Sequence, residues 1–244
     1  MGWFSESLDN KSIDELVELV GGLSAVGYTI DNKQEIDDDM QRPLAARLQL
    51  VDFEKLDMRL AEESGGRANL ARGGLWQTYV FWHLKGDARN CYLERAVKCY
   101  ETSVIQTTLE EQNGIDARLA LARILIDYPA TRDLPRGLSL MEEVYGASSD
   151  YVPAYSTYLQ ALNLDKQYRK VVEVANDMIA HSSARVAPAV HKIKAKALRA
   201  IVRESKKNGD IQESLLASVE LMNSQYSTAN DRKTYEKIVS LCDN

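Results

Sequence analysis

Four segments of the sequence repeat one packing pattern at intervals of about one helical hairpin. Each segment places small or apolar residues at positions i, i+4 and i+7, which share one face of an α-helix. The four sets are Ala96/Tyr100/Ser103, Gly137/Met141/Val144, Val171/Ala175/Met178 and Ser214/Ser218/Leu221. Their first members are 41, 34 and 43 residues apart, as in helix–turn–helix repeats of about 34 residues or more. A single hairpin cannot bury such a face alone, so we expect neighbouring hairpins to stack.

Helical patterns separated by short breaks fill the chain after residue 66. We predict helices over Ala68–Lys85, Tyr92–Thr107, Ile115–Asp127, Pro135–Tyr145, Pro153–Leu164, Tyr168–Ser182, Ala187–Lys206, Ile211–Ser224 and Asn230–Cys242. No segment alternates polar and apolar residues between turn signals, so we predict no strand. The expected fold class is therefore all-α, a right-handed α-α superhelix (solenoid) of helical hairpins. A plain helical bundle is the alternative.

The first part of the chain is acidic and less regular. Ser12 and Glu15 form a capping-box pattern that begins a helix, and Gly21-Gly22 are expected to weaken or end that helix. An acidic link follows from Asp31 to Asp39, and Pro43 is suited to begin the next helix.

These changes along the sequence suggest three parts. We predict an acidic N-terminal helical segment (1–66), a set of helical repeats (67–229) and a C-terminal capping helix (230–244). A cap of this kind is needed because the last repeat would otherwise expose its apolar face.

The turns between predicted helices resemble those of a known repeat family. After the Leu-small pairs of residues 117–125, Asp133, Arg136 and Gly137 open the next helix in the order and spacing of the Sel-one-like branch of the tetratricopeptide repeats. The turn over residues 208–214 resembles an ordinary tetratricopeptide turn, and Arg95-Ala96 with Tyr100 fits the same pattern. Two features depart from the family. Gly, Val and Ser replace the usual Ala at the first positions of three sets, and the Pro that often closes a unit is mostly missing.

Charge is distributed unevenly along the chain. Residues 185–207 hold eight bases and one acid, whereas the first 66 residues hold fifteen acids and six bases. At about 100° per residue, Lys192, Lys196, Arg199 and Arg203 lie along one stripe of the predicted helix.

The resemblance implies a function for this stripe. The first helices of tetratricopeptide-like hairpins line a concave groove, so the stripe would make that groove basic. A basic groove suits a protein partner that offers an acidic peptide. We expect reversal of the charges of Lys196 and Arg199 to abolish binding and to keep the fold. Two alternatives are an ordinary solvated helix face and head-to-tail self-association between the acidic start and the basic end.

The densest aromatic region surrounds Trp76 and Tyr79, which lie on one face of their predicted helix. Core packing between adjacent hairpins explains most of this cluster. The alternative is a second, weaker partner-binding site, in which Trp76 and Tyr79 are exposed and anchor a peptide.

Other classes of function find little support in the sequence. We find no catalytic motif, cofactor motif or metal-ligand spacing, and therefore expect a non-enzymatic scaffold or adaptor. The sequence contains three cysteines, Cys91, Cys99 and Cys242, an odd number without a CxxC spacing. We therefore expect reduced thiols and a cytoplasmic location. No signal peptide and no membrane span are predicted. The net charge of −6 makes nucleic acid an unlikely partner, although a nucleic-acid-binding helical repeat protein remains the alternative function.

Overall fold

A computed structural model describes residues 10–30, 48–149, 151–181 and 188–242, apart from the side chains of 24–30 and 152. The described residues form eleven α-helices and no strand. The predicted all-α class is therefore confirmed for them, while the superhelix remains a prediction. The acidic link and the predicted helix start at Pro43 lie outside the described residues.

The helices follow one another with short connections. Their bounds are α1 (Ile13–Ile30), α2 (Leu50–Ala61), α3 (Gly66–His83), α4 (Asn90–Gln106), α5 (Gln112–Asp127), α6 (Leu134–Ala147), α7 (Val152–Leu164), α8 (Tyr168–His181), α9 (Pro188–Asn208), α10 (Ile211–Met222) and α11 (Ala229–Cys242). Single 3-10 turns, Gly86–Arg89 and Pro129–Thr131, precede α4 and α6. The nine helices predicted after residue 66 are all present.

Capping residues fix several helix starts where the sequence predicts them. The Ser12 backbone N–H donates to Glu15 Oε2 at 2.7 Å, and the Glu15 N–H donates to Ser12 Oγ at 3.3 Å. The predicted capping box is therefore confirmed. Asp133 Oδ1 accepts from the Arg136 N–H at 3.2 Å at the start of α6. Asp210 Oδ1 accepts from the Glu213 N–H at 2.9 Å at the start of α10.

Of the two outcomes expected at Gly21-Gly22, a weakened helix or its end, the end is wrong, because α1 continues to Ile30. A helical glycine costs about 1 kcal/mol relative to alanine, which packing can offset. Leu16, Val20 and Leu23 are buried on one face of α1, and α1 packs against α3. Tertiary burial therefore outweighs the low helix propensity of the two glycines.

The chain divides into two compact units, residues 1–140 and 141–244, and the division falls within α6. In the first unit, α3 is the central helix and packs against α1, α2, α4 and α5. Helix α4 also packs against α5. The largest fully buried side chains of this unit include Phe53, Leu56, Leu75, Trp76 and Leu121.

In the second unit, each helix from α7 onward packs against the next, and α7 also contacts α9. Helices α9, α10 and α11 share an apolar core that consists of Ala195, Leu198, Ile201, Val202, Ala217, Leu221 and Ile238. Contacts between sequential helices, together with a contact from one helix to the next but one, are those expected of stacked hairpins.

All members of the four i, i+4, i+7 sets are buried. Each set therefore marks the packed face of its own helix, α4, α6, α8 or α10. Gly137 stands where tetratricopeptide-like repeats usually have Ala, and the close approach of Ile126 explains why a glycine is present. A Cβ atom at this position would lie 2.9 Å from Ile126 Cγ1 of α5.

Candidate partner-binding surface on helix α9

Helix α9 presents a line of positive charge to solvent. Lys192, Lys196, Arg203 and Lys206 are exposed, and we refer to these four residues as the basic strip. None of them forms an ion pair with another residue in the described part of the chain. The Arg203 Nε donates to the Arg199 backbone oxygen at 3.3 Å, within its own helix. The basic strip therefore offers charges that the described residues do not neutralise.

Apolar contacts hold α9 in place behind the basic strip. Val190, Ala197, Leu198 and Ile201, on the opposite side of the helix, are buried. Burial at this spacing fixes the rotation of α9 about its axis. That rotation leaves the lysines and Arg203 directed to solvent.

Arg199 has a different environment from the basic strip. Its Nε donates to Asp231 Oδ1 at 3.0 Å, and its Nη2 donates to Asp231 Oδ2 at 2.9 Å. Nη2 also donates to the Tyr226 backbone oxygen at 2.6 Å. Arg199 thus joins α9 to the start of α11, and its predicted contact with a partner would compete with this pair.

The carboxylate of Asp231 is buried and has several donors. The Thr228 N–H and hydroxyl both donate to Asp231 Oδ2 at 2.8 Å, and the Asp231 N–H donates to Thr228 Oγ1 at 3.3 Å. Burial raises the pKa of Asp231, but the hydrogen bonds from Arg199 and Thr228 outweigh this effect, and the pKa lies below its usual value. The carboxylate therefore remains charged and holds the Arg199 guanidinium in one position.

Lys194 belongs to the side of α9 that faces its neighbours. Its Nζ lies 2.6 Å from Glu220 Oε1 of α10, and it also donates to Asn176 Oδ1 of α8. Of the six basic residues at 192–206, two are therefore neutralised by acids of the same unit, and the four of the basic strip are not.

The proposed second site at Trp76 and Tyr79 is corrected by the structure. Trp76 is 0% exposed and Tyr79 is 8% exposed, so neither ring is available to anchor a peptide. Tyr92 stacks on Trp76 with ring centroids 5.4 Å apart, and Phe53 lies 5.0 Å from Tyr79. The two residues form part of the core between helices α2, α3 and α4.

Arg95 covers the remaining side of the Trp76 ring. Its guanidinium carbon lies 4.2 Å from the ring centroid, and its Nη2 lies 3.5 Å from the buried carboxylate of Asp57. Arg72 also pairs with Asp57, with Nε 2.7 Å from Oδ1. The two arginines and Asp57 therefore form a polar layer over the aromatic core, and this layer was not foreseen from the sequence.

Two further structural findings concern other classes of site. The described residues contain no group of three or more His, Cys, Asp or Glu side chains that could hold a metal ion. Within the same ranges, no helix combines the length and the apolar character needed to cross a membrane.

Comparison with known proteins does not assign the chain to a family. No protein-family model matches it, and searches of curated proteins and of solved structures find no significant match. The resemblance to tetratricopeptide repeats therefore remains an expectation based on the residues quoted above. The function has to be argued from the geometry of the surface.

Proposed function

We propose that this protein is a non-enzymatic scaffold or adaptor that binds an acidic segment of a protein partner along the basic strip of α9. The observation that supports this proposal most strongly is the line of four exposed cations without an ion-pair partner among the described residues. Two other cations of the same unit are paired, Arg169 with Glu213 and Lys170 with Glu142.

The strip suits a carboxylate-rich segment on electrostatic grounds. Lys192, Lys196 and Arg203 lie at i, i+4 and i+11, about 16 Å from end to end at the rise of an α-helix. Each exposed ion pair contributes about 0.2–1 kcal/mol, so several pairs are needed for useful affinity. An extended or helical acidic segment of similar length supplies them, and its association rate increases through electrostatic steering.

The arrangement of helices adds to this proposal. Helix α9 contacts the preceding first helix of a hairpin, α7, as well as its own partner, α10. In a tetratricopeptide-like stack, the exposed side of such a helix lines the groove. We also propose a cytoplasmic location, supported by the free thiols of Cys91, Cys99 and Cys242.

Charge reversal on the strip tests the proposal. We expect the K196E/R203E variant to lose a protein that co-purifies with the wild-type chain, because two attractive contacts become repulsive. The matched control is K55E/K98E, which changes the net charge equally at exposed lysines of α2 and α4. Arg199 is left unchanged, since its reversal would place two acids beside each other at Asp231.

The measurement is quantitative mass spectrometry of material purified with each tagged variant, together with circular dichroism to verify the fold. Equal recovery of the partner with K196E/R203E and with wild type would contradict the proposal. A nucleic acid that co-purifies and is released steeply with salt would instead favour the nucleic-acid-binding alternative.

A further inference from the structure

Helices α10 and α11 form an exposed apolar groove that the basic strip does not share. Leu216 is 65% exposed and Val219 is 40% exposed, one turn apart on α10. Val219, Met222 and Tyr235 line a groove of about 240 Å³, together with Asn223, Arg232 and Glu236. Exposed apolar side chains that adjoin a groove with a polar rim are typical of interaction surfaces.

The rim of this groove carries one charge of each sign. Arg232 and Glu236 are both exposed and lie four residues apart on α11, so they share one face of the helix. Neither residue forms an ion pair with any residue that the structure describes. A partner of uniformly acidic or uniformly basic character would therefore leave one of the two charges opposed by a like charge.

We infer that a second copy of this chain occupies the groove, related to the first by a two-fold axis. Two copies of α11 that lie antiparallel, with the two-fold axis level with the midpoint between Arg232 and Glu236, bring Arg232 of each copy opposite Glu236 of the other. An isologous contact requires such a self-complementary patch. Leu216 and Val219 of each copy then contribute the apolar surface that is removed from water.

Two features favour a second copy over an unrelated partner. One face of α11 carries an exposed Arg232 and an exposed Glu236 with no ion-pair partner among the described residues, so the same surface supplies both halves of each ion pair. Val219 and Met222 of α10 line the same groove, and Leu216 lies one turn from Val219, which gives the contact an apolar core and a charged rim. This inference goes beyond the proposed function, because the groove between α10 and α11 is lined by no residue of the basic strip.

Charge swaps at the rim test the inference directly. The wild-type chain of 27.4 kDa is expected to double in mass with increasing concentration in sedimentation equilibrium. R232E and E236R each place like charges opposite one another twice, so we expect each variant to raise the dimer Kd about tenfold or more. The double variant R232E/E236R restores both pairs and is expected to dimerise as wild type does.

A mixture of the two single variants gives the most specific result. R232E offers two acids and E236R offers two bases, so the mixture is expected to form heterodimers with a lower Kd than the homodimer of either variant alone. L216D provides a second variant, expected to abolish the dimer by placing a charge in the apolar part. Circular dichroism melting verifies that each variant is folded.

Three results would overturn the inference. The first is a wild-type chain that stays monomeric up to about 100 μM, which would leave the groove to a different protein. The second is a mass that increases beyond the dimer, since this indicates a head-to-tail contact that does not close. The third is a dimer that neither R232E nor L216D weakens.

Discussion

Arg199 and Arg203 lie one turn apart on α9 and have different environments. Arg199 makes a bidentate ion pair with Asp231, which is 8% exposed, whereas the Arg203 guanidinium is directed to solvent. The difference arises because Asp231, at the start of α11, lies within hydrogen-bonding distance of Arg199, whereas no acid among the described residues pairs with Arg203. One arginine therefore stabilises the fold, and the other is available for binding.

This difference predicts unequal losses of stability. We expect R199A to lower the free energy of unfolding by about 2 kcal/mol, because Asp231 keeps a buried charge without its main partner. The side chain of Arg199 is 34% exposed, which reduces the loss below that of a fully buried pair. The control is R169A, whose exposed pair with Glu213 contributes less than about 1 kcal/mol.

Urea unfolding followed by circular dichroism measures both variants under the same conditions. Equal destabilisation by R199A and R169A would mean that the ion pair with Asp231 does not hold α11 against α9.

The sequence places the lysines of the basic strip correctly on the exposed side of α9, because helical periodicity determines which residues share a face. It does not identify the partner of Arg199, since Asp231 lies 32 residues away in sequence. Burial of Trp76 and Tyr79 likewise depends on α2 and α4, which periodicity within α3 does not reveal. Contacts between distant segments are therefore the part of the site that the sequence leaves undetermined.

At the scale of the helices, close packing of α3 on α4 depends on glycine at position 73. A Cβ atom at Gly73 would lie 2.4 Å from two ring atoms of Tyr100, which is 2% exposed. The Tyr100 hydroxyl donates to Gln77 Oε1 at 2.9 Å, so the ring cannot move away without loss of this bond. The glycine therefore sets how closely the two helices approach.

We expect G73A to lower the free energy of unfolding by about 1–3 kcal/mol, as overpacked cores do. G146A is the control, because no atom lies within 4 Å of its added Cβ in α6. We expect G146A to be neutral or slightly stabilising, since alanine is the better helix former. Thermal melting compares the two variants, and a G73A chain as stable as G146A would show that Tyr100 readjusts at little cost.

Element bounds follow closely from the sequence after residue 66. The predicted helix Ala187–Lys206 is observed at Pro188–Asn208, and the turn at Gly209 has the positive φ of 77° that favours glycine. Capping residues and turn glycines act locally, so local sequence is sufficient to predict them. The continuation of α1 through Gly21-Gly22 was missed because it depends on tertiary packing against α3.

At the scale of the whole molecule, different surfaces have different roles. The four sets of small and apolar residues at i, i+4 and i+7 are buried. They are therefore not available to partners. Among the described residues, the surfaces that we assign to binding are the charge on α9 and the groove between α10 and α11. The central claim is that the charge on α9 contacts an acidic protein segment.

Site-specific photocrosslinking tests this claim most directly. A benzophenone amino acid in place of Lys196 leaves the other three cations of the basic strip intact, and the same substitution at Lys98 of α4 is the control. We predict that irradiation in the native cell yields a covalent adduct with one protein at position 196, with the crosslinked peptide rich in Asp and Glu, and none at position 98. No adduct at position 196, or the same adducts at both positions, would contradict the account.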